Sequence, residues 1–105
     1  MSITVTVMYP DKPGSKFDMD YYLNKHGPLV HKLWGPHGLT GLKVLKGLAT
    51  PDPSTPPPYR IMALVSFESL DHFMAAVAAA GKEVMDDIAN FTDAPPDIQI
   101  NDDVV

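Results

Sequence analysis

The chain has 105 residues, enough for one domain with a modest core, so we expect a single domain over residues 1–105. It has no cysteine, which excludes disulfides, thiol nucleophiles and cysteine-ligated metals. The net charge is −5 and Arg60 is the only arginine, which argues against nucleic-acid binding because phosphate contacts need clustered basic side chains. No apolar run approaches the roughly 20 residues of a membrane span. The first ten residues resemble a strand rather than a signal peptide, so we expect a cytoplasmic protein.

Hydrophobic periodicity predicts four strands and two helices. Apolar and polar residues alternate in the first strand, whereas the helices carry apolar stripes at three- and four-residue spacing. Asp18 and Ser69 suit the N-caps of the two helices, and Gly27-Pro28 predicts a break or kink in the first helix. The predicted strands cover residues 3–9, about 39–49, 59–67 and 98 to about 102. The predicted helices cover residues 19 to about 34 and 70–91, with an interruption at Gly81.

A proline-rich stretch separates the second and third strands. Five prolines within residues 50–58 predict an extended, polyproline-like excursion. A linker between two domains is the alternative, but neither flank is long enough to form a domain. The element order is therefore β-α-β-β-α-β, which is typical of a ferredoxin-like α+β sandwich with a four-stranded antiparallel sheet and two helices on one face.

The second face of the predicted sheet has no helix to cover it. The first and third strands nevertheless carry apolar residues on both faces. A large exposed apolar patch is unusual on a soluble monomer. We therefore expect a homodimer in which two sheets stack through these faces.

His26 is the strongest candidate for chemistry. An imidazole with a pKa of about 6.5 can accept or donate a proton near neutral pH. Tyr22 lies one helical turn earlier on the same stripe, where its phenol can bond to the imidazole or polarise a substrate carbonyl. Leu29 or Val30, together with Trp34, would supply the apolar walls of a pocket. The alternative is a structural histidine that bonds to a backbone carbonyl left free by the helix break.

The other titratable residues give weaker signals. His31 follows His26 by five residues and is expected on a different side of a regular helix. A metal site formed by these two residues and His37 lacks a supporting carboxylate pattern, so no metal is predicted. Adjacent residues on a helix point about 100° apart, so Asp86 and Asp87 cannot both face one site. Most acidic residues of this region are expected to be solvated.

Two segments resemble the EthD family. The resemblance is carried by the pattern Phe17-x-x-x-Tyr21-Tyr22-x-x-x-His26-x-Pro28-Leu29 in the first helix and by Asn90-Phe91-Thr92-Asp93 after the second. It covers nearly the whole chain and implies a dimeric α/β barrel. It also adds Asp93 to the predicted substrate-binding residues, while His26 and Tyr22 are the predicted catalytic pair.

The family resemblance implies a part in bacterial catabolism of a small hydrophobic compound, such as ethyl tert-butyl ether or an aromatic molecule. In ether degradation the oxidation itself is attributed to a cytochrome P450 system. Related dimeric barrels include monooxygenases that need no cofactor, haem-degrading enzymes, polyketide cyclases and a muconolactone isomerase, so kinship of fold does not choose a reaction.

Two functions therefore remain open. The first is an enzyme of the oxygenase, isomerase or cyclase type in which His26 transfers a proton. The second is a non-catalytic dimer that binds or carries a small hydrophobic molecule for a neighbouring oxidase. No cofactor is predicted, with haem ligated by His26 as the lesser alternative, and neither nucleic acid nor a membrane is an expected partner.

Overall fold

The computed structural model describes residues 2–105 and contains the predicted strands and helices in the predicted order. The strands are β1 (Ile3–Pro10), β2 (Leu39–Lys46), β3 (Tyr59–Phe67) and β4 (Asp97–Asp102). The helices are α1 (Met19–Tyr21), α2 (Gly27–Trp34) and α3 (Leu70–Asp86), with a π-helical turn at Tyr22–His26 between α1 and α2. Short 3-10 segments follow α2 at Gly35–His37 and α3 at Asp87–Asn90.

The strands form one antiparallel sheet in the order β2-β3-β1-β4. This order and the helical crossovers are those of a ferredoxin-like fold, so the predicted fold class is confirmed. Val5 of β1 lies opposite Val65 of β3 and Ile100 of β4. Residues paired in this way point to the same face of the sheet, and that face packs against the helices.

The core beneath the helices consists of two clusters. In one, the rings of Trp34, Phe67 and Phe73 meet edge to face at centroid distances of 5.2–5.9 Å. The other is an aromatic cluster formed by Tyr9, Tyr22, Ile61, Ile88 and Phe91. Val7 of β1 packs against both clusters. The candidate site lies where they meet.

At the Gly27-Pro28 pair the hydrogen-bond pattern of the first helix changes, but the backbone dihedrals remain helical. His26 and Gly27 keep right-handed helical dihedrals, and the Gly27 N–H donates to the carbonyl of Tyr22, five residues earlier. In a regular α-helix the Pro28 ring would crowd the carbonyl four residues before it. The wider π turn accommodates that ring, so the break or kink predicted at Gly27-Pro28 takes the form of a π turn that ends at His26.

Both predicted N-caps are confirmed. An oxygen of the Asp18 carboxylate accepts the amide of Tyr21 at 3.0 Å, and the Ser69 hydroxyl accepts the amide of His72 at 3.2 Å. The interruption predicted at Gly81 occurs one residue earlier, at Ala80, where φ is −152°.

The opposite face of the sheet is not covered by any element within residues 2–105. At its centre, Met8 of β1 lies opposite Met62 of β3, and Leu64 lies opposite Thr6. These side chains are half-buried by their neighbours alone. The face is thus apolar at its centre, and Thr6 adds a polar hydroxyl to it. No helix in the described part of the chain is long and apolar enough to cross a membrane.

Candidate active site

A cavity of about 460 Å³ lies between the helices and the covered face of the sheet. Its floor is formed by the strand residues Val7, Leu42, Val44, Ala63 and Val65, and one wall by Val84, Met85 and Ile88. These walls are almost wholly aliphatic. Protein sites with such walls generally bind apolar ligands, and the few polar groups that reach the site orient the ligand.

The second wall is a buried stripe along the first helix. Its residues are Tyr22, His26, Val30 and Trp34, at four-residue spacing, and all are buried and line the cavity. Side chains four apart share one helical face, which explains why the sequence brings them together. Either Leu29 or Val30 was predicted to form part of the cavity wall. Val30 lines the cavity, whereas Leu29 does not.

His26 is held by a carboxylate from the far end of the chain. Its Nδ1 lies 2.8 Å from an oxygen of Asp87, in the 3-10 segment after α3, and the two side chains are only 7% and 12% exposed. The other carboxylate oxygen accepts hydrogen bonds from the Tyr21 hydroxyl at 2.6 Å and from the Asn90 amide at 3.0 Å. The His26 ring therefore has a fixed carboxylate partner rather than the free backbone carbonyl of the structural alternative.

The charge state of Asp87 determines which ring nitrogen of His26 carries the hydrogen. Burial alone would raise the pKa of Asp87, but hydrogen bonds from Tyr21, Asn90 and His26 outweigh it and hold that pKa below its ordinary value of 3.8. The carboxylate is thus ionised at neutral pH and can only accept hydrogen bonds. Nδ1 of His26 must then donate, and a neutral His26 keeps its lone pair on Nε2. The His26 ring forms part of the wall of the apolar cavity.

Aromatic rings enclose the imidazole. The Tyr22 ring stacks on His26 with centroids 5.6 Å apart, and the Phe91 centroid lies 4.7 Å away. Burial raises the pKa of Tyr22 to about 12, so its phenol stays protonated at neutral pH. No hydrogen bond joins Tyr22 to His26 within residues 2–105. Its hydroxyl makes no hydrogen bond to any other group in this part of the chain, and the residue lines the cavity.

Asp93 lies outside the cavity. It is exposed, and its carboxylate accepts the backbone amide of Lys16 at 3.0 Å. The Thr92 hydroxyl donates to the Lys16 carbonyl at 2.8 Å, and the amide of Asp18 donates to the carbonyl of Phe91 at 2.7 Å. The Asn-Phe-Thr-Asp segment thus anchors the start of the first helix, and the structure gives Asp93 no contact with the cavity.

Asp87 is the site residue that sequence reasoning missed. The sequence predicted that Asp87, like most acidic residues of this region, is solvated. That prediction holds for the neighbouring Asp86, which pairs with Lys82 at 2.6 Å on the surface. The buried residues of α3 include Phe73, Ala76, Ala80 and Val84. Continuing this spacing of three and four places Asp87 on the buried side of the helix. That register is the sequence signal that could have found it.

Neither a metal nor haem is supported by the side chains around the cavity. His31 also lines it, with an exposed side chain, but within residues 2–105 no three histidine, aspartate or glutamate side chains are grouped to hold a metal ion. The cavity lining within residues 2–105 also contains no lysine or arginine to pair with the two propionates of a haem.

The chain is thus a ferredoxin-like α+β sandwich with an apolar cavity under its helices and a carboxylate-held histidine in the cavity wall. The sequence model of the EthD domain matches residues 15–95, so the chain belongs to the EthD family, as its sequence predicts. No curated protein is significantly similar to it in sequence.

Solved structures agree with this assignment. An EthD-like protein from Ralstonia eutropha JMP134 is 38% identical with a TM-score of 0.91, over 99% of this chain and 93% of that one. An EthD family protein from Bacillus halodurans C-125 is 19% identical with a TM-score of 0.69, over 99% and 100%. A cofactor-independent oxygenase from Streptomyces nogalater is 8% identical with a TM-score of 0.66, over 99% and 94%. The last two share the fold alone.

Proposed function

We propose that the protein is an enzyme that removes a proton from a small, largely apolar and weakly acidic substrate. Nε2 of His26 is the general base. The observation that carries the proposal is the 2.8 Å pairing of Nδ1 with Asp87 in the wall of an apolar cavity. A histidine with one nitrogen anchored by a carboxylate and the other facing a ligand site has the arrangement of a positioned base.

The proposed step is a simple proton transfer. A C–H next to a carbonyl, or a phenolic O–H, gives its proton to Nε2, and the electron pair remains on the substrate as an enolate or phenolate. The imidazolium formed in this step lies against the ionised Asp87. Charges attract more strongly in a site from which water is excluded than in bulk solvent. The carboxylate therefore stabilises the product of the proton transfer more than the reactants.

Tyr22 is the second group in the proposal. Its phenol is protonated and stacked on the His26 ring, so it can donate a hydrogen bond to the oxygen on which negative charge develops. Proton abstraction and oxyanion stabilisation at one apolar site are the shared first step of cofactor-independent oxygenation, isomerisation and cyclisation. Family membership and the fold shared with a cofactor-independent oxygenase support a role of this kind in the catabolism of a small hydrophobic compound.

Deuterium exchange tests the proton-transfer step without knowledge of the natural substrate. We expect the protein to accelerate exchange of the α-protons of α-tetralone in D₂O under anaerobic conditions, followed by proton NMR. His26→Gln should lower that acceleration by about 10²- to 10⁴-fold, the usual contribution of a general base. His72→Gln is the matched control, because His72 is about half exposed and does not line the cavity.

The same experiment separates the enzyme from the carrier. A carrier would bind α-tetralone, detected by a raised melting temperature, and return it unlabelled. Equal exchange by wild type and His26→Gln would also reject His26 as the base.

We also propose that the protein is a homodimer that stacks the uncovered sheet faces. The half-buried apolar centre around Met62 and Leu64 supports this, because an apolar patch that no element of the chain covers is typical of an interface. Light scattering at micromolar concentration should give twice the chain mass of 11.5 kDa. Leu64→Arg should give monomers, whereas Leu48→Arg, at a loop residue that is 93% exposed, should leave the mass unchanged. A monomeric wild type would contradict the proposal.

A further inference from the structure

Tyr21 lies next to Tyr22 in sequence but does not line the cavity. Adjacent residues on a helix point about 100° apart, and the Tyr21 side chain reaches the 3-10 segment after α3 instead. Its hydroxyl donates to Asp87 at 2.6 Å, compared with 2.8 and 3.0 Å for the bonds of His26 and Asn90 to the same carboxylate. The oxygen that accepts this bond is not the one that binds His26. The two consecutive tyrosines therefore contact different parts of the site.

Tyr21 is held in place at three points. Its backbone amide donates to the carboxylate of Asp18 at 3.0 Å, its ring stacks on Phe91 with centroids 6.3 Å apart, and its hydroxyl binds Asp87. The Asn90 amide donates to this hydroxyl at 3.3 Å and to the same carboxylate oxygen at 3.0 Å. Hydrogen bonds to an ionised group are stronger than those between neutral groups. The orientation of the Asp87 carboxylate is therefore set by residues outside the cavity.

We propose that Tyr21 is a positioning residue for His26. By binding one oxygen of Asp87, it holds the other oxygen against Nδ1 and draws negative charge away from it, so that the carboxylate attracts the imidazolium less strongly. The role rests on the proposed function, in which His26 is the base. Tyr21 thereby sets how readily His26 releases the proton it has accepted, which a base must do before it can act again.

The charge of Asp87 depends on this contact. Burial raises the pKa of Asp87, and the hydrogen bond from Tyr21 opposes that effect more than those from Asn90 and His26 do. The same hydrogen bond raises the pKa of Tyr21, so its hydroxyl stays protonated near neutral pH and remains a donor.

The other titratable side chains of the cavity wall and the aromatic cluster, within residues 2–105, are two tyrosines and one histidine. Tyr22 stacks on His26, and Tyr9 of β1 lies in the aromatic cluster. Burial raises the pKa of both tyrosines, so they stay neutral. The residues that α3, β2 and β3 contribute to the cavity wall are uncharged. The histidine is His31, whose side chain is exposed, and its NMR signals have to be followed separately from those of His26.

Tyr21→Phe removes the hydroxyl and keeps the ring. The Asp87 carboxylate should then attract the imidazolium more strongly, so the rise of α-tetralone exchange with pH should move to higher pH by about 0.3–1 unit, the scale of one net hydrogen bond. The ring-nitrogen NMR signals of His26, followed against pH, should shift their midpoint by the same amount. Tyr59→Phe is the matched control, because the Tyr59 hydroxyl also donates to an aspartate, Asp97, at 3.1 Å, but at an exposed position away from the cavity.

The double variant with Asp87→Asn shows whether Tyr21 acts through the carboxylate. In that background Tyr21→Phe should leave the His26 titration unchanged, because the charge on which it acts is gone. A shift that persists there, no upward shift from Tyr21→Phe alone, or an equal shift from Tyr59→Phe would overturn the inference. If Tyr21→Phe does not fold, Asn90→Ala decides: it removes the second donor from the same oxygen and should also move the midpoint upward, and an unmoved midpoint would overturn the inference. If wild type catalyses no exchange, the proposed function fails, and the His26 titration still decides on Tyr21.

Discussion

Replacing Asp87 with asparagine should lower proton abstraction from α-tetralone by about 10²- to 10⁴-fold, as expected when a positioned general base is lost. The two side chains have nearly the same shape, so the cavity is retained. An amide nitrogen placed toward His26 would donate to Nδ1 and move the imidazole proton to Nε2, where it blocks proton acceptance. The amide also removes the negative charge that stabilises the imidazolium. Deuterium exchange of the two proteins, measured side by side, checks the effect.

The same substitution should reduce stability in a pH-dependent way. The pKa of Asp87 is lower in the folded protein than its ordinary value of 3.8. Its ionised form therefore stabilises the folded state above that value, and the contribution is lost as the pH falls through the lowered folded-state pKa. At pH 7 we expect a loss of about 1–3 kcal/mol in the free energy of unfolding, the scale of disrupted buried hydrogen bonds to a charged group. The urea-unfolding curves of wild type and Asp87→Asn should converge in acid.

Asp86→Asn is the matched control for both measurements. Asp86 is the adjacent carboxylate, but it pairs with Lys82 at an exposed position. We expect it to change neither the exchange rate nor the unfolding curve, because exposed ion pairs contribute little. If Asp86→Asn and Asp87→Asn behaved alike, the carboxylate of Asp87 would have no special role at His26.

Phe91→Ala should lower the free energy of unfolding by about 3–5 kcal/mol, the usual range for truncating a buried phenylalanine. Phe91 is 2% exposed, and its ring lies between 4.7 and 5.6 Å from those of Tyr9, Tyr22 and His26. Its removal would leave a cavity at the centre of the aromatic cluster. Because total stabilities are of the order of 5–15 kcal/mol, a loss of this size is readily measured by urea denaturation.

Leu23→Ala is the comparison for Phe91→Ala. Leu23 is next to Tyr22 in sequence but is 52% exposed. Leu23→Ala should therefore lower the free energy of unfolding by much less than the substitution of a core residue. A loss below about 1 kcal/mol for Phe91→Ala would mean that the cluster collapses around the gap. In that case the Phe91 ring would not be essential to the packing around His26.

The fold follows from local patterns that a sequence displays directly. Alternating residues in β1 and β3, the N-caps Asp18 and Ser69, and the proline-rich loop each predict one element or boundary. The π turn is harder to foresee, because the wider hydrogen-bond pattern depends on how the helix packs over the sheet. Pro28 signals that a regular turn is unfavourable, but it does not specify whether the helix stops or widens.

Only those site residues that lie on the first helix could be predicted from the sequence. Four-residue spacing places Tyr22 and His26 on one face, and both line the cavity. The partner of His26 lies 61 residues away in sequence, and no local pattern links two such positions. Asp93 was predicted to bind substrate because it follows a family-like segment. In the structure its carboxylate instead accepts the backbone amide of Lys16. The residue that matters, Asp87, was recognisable only from the buried register of α3.

The nitrogen NMR spectrum of the His26 imidazole tests the central claim most directly. Long-range proton–nitrogen correlations distinguish a ring protonated at Nδ1 from one protonated at Nε2. We expect neutral His26 in the wild type to carry its proton on Nδ1, facing Asp87, with Nε2 unprotonated, and we expect this pattern to be lost in Asp87→Asn. A neutral ring protonated at Nε2, or a pattern unchanged by Asp87→Asn, would contradict the account of His26 as a base held by Asp87.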